Sequence, residues 1–187
     1  MSDRPGPAHD SHDPARTIRR ILRVNDAGER GGVAMYQTQL AVARWRCPEV
    51  VPFLELTRDH EADHARRFRA LMPSRGAKAC RLPWIWTIGA AAMGAATAVF
   101  GARAIYLCTE VVERGVHQHL SVQLAFVRDH DPELAALIES VAADEAEHYQ
   151  HAAFAQDHPL DATAVGAEAH ANADLVRAGA HREREHA

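Results

Sequence analysis

The chain is poor in the residues that mark several large protein classes. Its 187 residues include three cysteines, Cys47, Cys80 and Cys108, with no C-x-x-C pair and no even framework. A disulfide scaffold and a four-cysteine metal site are thereby excluded, and a reduced compartment is expected. Aromatic residues are 6 % of the chain, and no long alternating β-branched run argues for a sheet. Positive charge is not in excess: the formal net charge is −4. With no basic stripe, nucleic acid is not an expected partner. The first fifteen residues are rich in Pro, Asp and His and hold no apolar stretch of the kind that forms a secretory signal.

What is present favours helix. Apolar residues make up 47 %, enough for one domain with a sizeable core, and the alanine-rich stretches are good helix formers. A disordered leader is expected over residues 1–14 and a folded helical domain over 15–158. A short helix and frayed tail are expected over 159–187. Helices are expected over 15–46, 48–72, 102–129 and 132–156, with Pro48 and Pro132 each able to open a helix at its first turn. Pro73 to Gly76 and Asp129 to Pro132 read as breaks. Gly28, Gly31 and Gly32 inside the first helix leave two readings open, a kink or the close approach of a neighbour or substrate.

No charge occurs in the 21 residues between Arg81 and Arg103, which begin at Leu82 and end at Ala102. That is about the length of a membrane-spanning helix. Its glycines and alanines make it only weakly hydrophobic. Three readings stand: a span, an interfacial segment facing the membrane, and a buried core helix. Trp84 and Trp86 at its start suit either a membrane interface or a core anchor.

The chemistry is concentrated in a motif that occurs twice. Glu61-Ala62-Asp63-His64 and Glu145-Ala146-Glu147-His148 are both Glu-x-x-His, and Glu29 and Glu113 each lie 32 residues before one of them. The whole pattern is offset by 84 residues. On a helix, positions i and i+3 share a face, so each motif aims one oxygen and one nitrogen in the same direction. A single Glu-x-x-His is weak evidence, often no more than a surface pair. Two copies with matched partners form the ligand set of a two-metal site in an antiparallel four-helix bundle. Oxygen and imidazole donors without thiolates suit iron or manganese. Glu29, Glu61 and His64 are assigned to one side and Glu113, Glu145 and His148 to the other, with Glu61 and Glu145 best placed to bridge. Asp144 is expected to accept a hydrogen bond from the outer nitrogen of the ligand histidine on the facing helix. His60 holds the matching place in the first half. His117 is a candidate spare ligand or relay, whereas His119 points elsewhere on an ideal helix. Tyr36, Tyr106 and Tyr149 are candidates to bring a phenol near the site.

Several stretches together resemble the di-iron demethoxyubiquinone hydroxylases, a ferritin-like family. They are Arg23-Val24-Asn25-Asp26-Ala27-Gly28-Glu29, Glu61 to Phe68, Leu82-Pro83-Trp84 with the Gly/Ala segment after it, Cys108 to Glu113, and Asp144 to His148. The resemblance implies an all-α, ferritin-like bundle of two hairpins joined by a long lipophilic crossover. It implies an oxygen-dependent monooxygenase with two iron ions, cycling between Fe2+ and Fe3+, that hydroxylates the ring of a polyprenyl quinone precursor in ubiquinone biosynthesis. Dioxygen would be the oxidant and reduced nicotinamide the electron source. The implied partners are the membrane surface and other quinone-biosynthesis proteins. The implied location is peripheral, on the cytoplasmic face of the cell inner membrane or the matrix face of the mitochondrial one. The chain departs from the family pattern at Asn25-Asp26, Arg114 and Leu120. The alternatives are a relative acting at another ring position or another di-iron or dimanganese protein: a peroxidase, a catalase or an iron-binding protein.

Overall fold

Asp13 and Pro14 start the first helix. The Asp13 carboxylate accepts from the Ala15 N–H at 3.0 Å, the usual N-cap arrangement, and Pro14 occupies the first helical position, where a missing N–H costs nothing. The computed structural model describes residues 13–157. Most of the expected leader, residues 1–12, and the expected tail over 159–187 lie outside the described residues. Among the described residues there are five α-helices and no strand. They are α1 (Pro14–Arg46), α2 (Val51–Leu71), α3 (Pro83–Val99), α4 (Ala102–His130) and α5 (Pro132–Asp157).

Helix α1 runs without interruption through Gly28, Gly31 and Gly32, and neighbours do come close there: Ala90 and Trp86 at Gly31 and Glu61 at Gly32. The expected helix at Pro48 instead opens with a 3-10 turn, Pro48–Val50, before α2 begins. Cys47 makes no side-chain cap there, and Pro48 and Pro52 both lack an N–H. After a second 3-10 turn, Gly76 sits at φ 61°, a left-handed conformation that glycine adopts without strain. It lets Ala77 N–H reach the Met72 carbonyl at 2.9 Å.

Helices α1 and α2 form one hairpin and α4 and α5 the other; α2 meets α5 and α1 meets α4. This is a four-helix bundle with α3 in the crossover. Apolar residues fill it in two clusters. One gathers Met35, Tyr36, Leu54, Ile105 and Ala152; the other gathers Leu22, Phe68, Leu120, Leu134 and Ile138. Each large aliphatic or aromatic side chain so buried stabilises the fold by about 1.5–3 kcal/mol. On all four bundle helices the Glu-x-x-His and lone Glu positions fall between these clusters, so a polar layer is sandwiched by apolar ones.

Helix α3 lies along α1. Gly94 makes this possible, because a Cβ there would collide with the Met35 carbonyl and the Thr38 hydroxyl. Thr38 instead donates to the Ala91 carbonyl at 3.0 Å, and the Gln39 amide donates to Thr97 at 3.1 Å. Only Gly94 and Ala98 of α3 are buried, while Trp84, Ile85, Trp86 and Ile88 are exposed. That sets aside the buried core helix. The spanning reading also gives way. No described helix is long and apolar enough to cross a membrane, and the 17 residues of α3 extend only about 25 Å.

Candidate metal centre

Every predicted ligand lands in the polar layer: Glu29 on α1, Glu61 and His64 on α2, Glu113 on α4, and Glu145 and His148 on α5. None is more than 6 % exposed. Glu29, Glu61, His64 and Glu145 offer ligand atoms within 4.8 Å of one another, and so do Glu61, Glu113, Glu145 and His148. Two four-ligand groups therefore overlap at Glu61 and Glu145. Gly32 clears a path for one of these, since a Cβ there would run into the Glu61 carboxylate.

Both histidines present Nδ1 inward. His64 Nδ1 lies 3.2 Å from Glu145 and 3.5 Å from Glu29, yet it is buried with no hydrogen-bond partner. Its Nε2 is 2.9 Å from Asp144 Oδ2, so Nε2 donates outward to that carboxylate and Nδ1 faces the buried glutamates. His148 Nδ1 lies 3.1 Å from Glu145 Oε2, and its Nε2 lies 3.0 Å from His60 Nδ1.

The electrostatics call for a cation. Burial, then repulsion from Glu145, Glu29 and Glu113, pushes the Glu61 carboxyl well above the usual carboxylate range. Burial and Glu145 do the same to Glu113. Burial opposes charge on His64, but Asp144, Glu145 and Glu29 outweigh it and push its pKa up to about 11. Burial holds His148 below its ordinary value. Four buried carboxylates repel one another unless protons or metal ions intervene, and a divalent cation inverts that balance. An orphaned, inward-facing imidazole nitrogen among carboxylate oxygens fits such an ion.

Of the three tyrosines, only Tyr36 reaches the cluster: its fully buried phenol donates to Glu113 Oε1 at 2.7 Å. Tyr106 packs on Phe53 and Tyr149 lies under Arg114. His117 is exposed and belongs to neither ligand group. His119, expected to point elsewhere, lines a pocket that runs to the cluster. It pairs at 2.6 Å with the Gln123 amide, which also exchanges hydrogen bonds with Asn25 at 2.8 and 2.9 Å. The spacing of four between His119 and Gln123 puts them on one face of α4, but nothing in the spacing joined them to Asn25 on α1.

The pocket has a volume of about 700 Å³. Its floor includes Glu29, Glu61, Glu113 and Glu145, and Gly28, Gly31, Trp86, Gly89 and Met93 are among the residues of its walls. It is bounded by α1, α3 and α4 and is almost wholly apolar away from the carboxylates.

A helical bundle with paired carboxylate–histidine groups in its core is the architecture on which two-metal carboxylate sites are built. Residues 16–179 match the family model described as ubiquinone biosynthesis protein COQ7, and the chain belongs to that family. Among its relatives is 3-demethoxyubiquinol 3-hydroxylase of Rhodospirillum rubrum, 35 % identical over 135 residues, or 72 % of this chain and 63 % of the relative. The human mitochondrial NADPH-dependent 3-demethoxyubiquinone 3-hydroxylase is 32 % identical over 136 residues, or 71 % of this chain and 62 % of the relative. The mitochondrial 5-demethoxyubiquinone hydroxylase of Saccharomyces cerevisiae is 36 % identical over 110 residues, 59 % of this chain and 47 % of the relative. The chain thus spans less than two thirds of the length of these relatives.

Proposed function

We propose that the protein is a di-iron monooxygenase that hydroxylates the ring of a demethoxylated polyprenyl quinone precursor in ubiquinone biosynthesis. The observation that carries this reading is the pocket. It joins the exposed apolar side of α3 to the four buried carboxylates. A flat ring on a long isoprenoid chain fits such a passage, whereas a storage protein or a peroxidase of small solutes needs no lipophilic entrance.

Glu29, Glu61, Glu113, Glu145, His64 and His148 would hold two iron ions, which supply the reductive activation of dioxygen. The chain's own residues do the rest. Gly28, Gly31 and Gly89 leave room for a ring beside the carboxylates. The apolar walls exclude water from the reacting carbon. Asn25 and Gln123 hold the His119 imidazole at the wall, where its ring nitrogen can hydrogen-bond a quinol oxygen. Tyr36 fixes Glu113 through its phenol. The relatives named as NADPH-dependent support reduced nicotinamide as the electron source.

The exposed Trp84, Ile85, Trp86 and Ile88 would lie in the membrane interface, where indoles settle. The substrate then enters from the lipid without crossing water. These exposed side chains support a peripheral position, on the cytoplasmic face of a bacterial inner membrane or the matrix face of a mitochondrial one. The other proteins of quinone biosynthesis are its expected neighbours.

The test is expression in cells that lack demethoxyubiquinone hydroxylase, with their quinones analysed by mass spectrometry. Restored ubiquinone is expected from the wild type and not from Glu145→Ala. If the wild type leaves the precursor unchanged, the substrate assignment fails.

A further inference from the structure

The 84-residue repeat superposes the ligands but not their supports. Position 144 is aspartate and position 60 is histidine; position 36 is tyrosine and position 120 is leucine. Each difference changes what touches a ligand. His64 donates from Nε2 to a carboxylate, Asp144, at 2.9 Å. His148 has only an imidazole, His60, at 3.0 Å, and the two rings stack with centroids 5.2 Å apart. Glu113 carries the Tyr36 phenol at 2.7 Å. The position matching Tyr36 holds Leu120, whose side chain has no group to donate to Glu29.

Building on the two-metal reading above, we infer that the two metal positions are unequal: the one at His64 and Glu29 holds its ion tightly, and the one at His148 and Glu113 is the labile one. A carboxylate accepting from the outer nitrogen makes an imidazole a stronger donor to metal, and outer partners of this kind change metal affinity by about 10–100-fold. A neutral imidazole partner gives His148 less of this support. The phenol acts in the same direction, because a hydrogen bond to Glu113 draws charge away from its oxygens. Both supports therefore favour the His64 position. Asp144 and His60 are positioning residues here, acting through the ligand histidines. The consequence is an order of loading: the His64 position fills first and empties last.

The test uses the full chain loaded with two equivalents of Mn(II), at fixed pH, in equilibrium competition with a chelator. Electron paramagnetic resonance follows the half-loaded protein. Two dissociation constants at least about tenfold apart are expected, with the signal of an isolated Mn(II) at half loading. Asp144→Asn weakens the tighter site by about tenfold or more and brings the two constants together. His60→Asp tightens the weaker site by a similar factor, a gain that damage to the fold would not produce. Two equal constants with a coupled-pair spectrum at every loading would overturn the inference and leave the two-metal reading intact. So would a His60→Asp protein whose weaker site does not tighten. Failure of the wild type to bind two ions would sink both.

Discussion

In the first hairpin, α2 is reached through a 3-10 turn after Cys47; in the second, α5 begins directly after Asp131. The two starts are otherwise alike, with Pro48-Glu49 matching Pro132-Glu133 across the repeat. Asp131 accepts from the Leu134 N–H at 3.1 Å and is gripped by Arg75 at 3.0 Å through two nitrogens. Cys47 makes no side-chain cap. The same contrast recurs along the hairpins: Gly32 against Val116, Tyr36 against Leu120, His60 against Asp144. The same three donors, two glutamates and a histidine, are kept in each half, while their surroundings diverge with their neighbours. The first hairpin must admit α3 along α1 and pass the Glu61 carboxylate beside Gly32.

The largest effect should come from breaking the part that is alike. Glu61 and Glu145 belong to both ligand groups, whereas Glu29 and Glu113 each belong to one. If the proposed di-iron function holds, Glu61→Ala and Glu145→Ala should therefore lose both irons and more than about 99 % of hydroxylated product, since each ion loses a charged ligand. Glu29→Ala and Glu113→Ala should each retain about one iron per chain. Iron analysis of the four purified variants decides it. If all four retain the same iron, the overlap at Glu61 and Glu145 does not describe the loaded site.

The next effect sharpens the contrast at α3. Gly94→Ala drives a Cβ into the Met35 carbonyl, an immovable backbone atom, whereas the space beside Gly89 is open. Gly94→Ala should cost about 2 kcal/mol through forced separation of α1 and α3. Gly89→Ala should be neutral or stabilise by about 0.5–1 kcal/mol through helix propensity. Urea denaturation of both variants gives the comparison, and equal losses would mean that α3 does not depend on a close crossing.

Much of this was legible in the chain. Four of the five helices follow from Pro48 and Pro132 as helix starts and from the breaks at Pro73 to Gly76 and Asp129 to Pro132, and the candidate ligand layer follows from a period of 84 that repeats donor types. What escaped depends on packing between helices distant in sequence. The span between Arg81 and Arg103 reads as 21 uncharged residues, but Leu82 and the Phe100-Gly101 turn fall outside the helix, so α3 is too short to cross a bilayer. His119 looked misdirected because an ideal helix sets only its angle; a pocket wall made by α1 and α3 decides what it faces. His60 was visible as a flaw in the repeat, yet its contact with His148 required the α2–α5 juxtaposition.

A smaller effect tests the unequal helix starts. Hydrogen bonding to Arg75 holds the Asp131 carboxyl below its usual range. Its folded pKa therefore lies under the unfolded value of about 3.9, so its contribution is present above that value and lost as pH falls through the folded one. Asp131→Asn should cost about 1–2 kcal/mol near neutral pH through the weakened cap and ion pair. The gap from the wild type should stay constant from about pH 8 to pH 5 and close below about pH 4. A gap that persists in acid would assign the loss to shape rather than charge.

The smallest effect concerns an acid–arginine pair that the repeat conserves at a spacing of four residues. Arg30 follows Asp26 by four residues, and Arg114 follows Glu110 by four. Asp26 is buried and is also held by Arg69 through two nitrogens, at 2.8 and 2.5 Å. Glu110 has the Gln156 amide at 2.7 Å as its second partner. The Arg114 guanidinium is open to solvent, so water and salt screen its attraction to Glu110 and the entropy of holding the long side chain offsets the remainder. Its position over the Tyr149 ring, 5.7 Å from the centroid, is weakened by the same hydration. Arg114→Ala should leave the melting temperature where it is in calorimetry, at low salt as at high. A drop comparable to that of Asp131→Asn would mean that Arg114 braces α4 against α5, and that the second hairpin is tied on its outer surface as well as through the buried carboxylate–histidine layer.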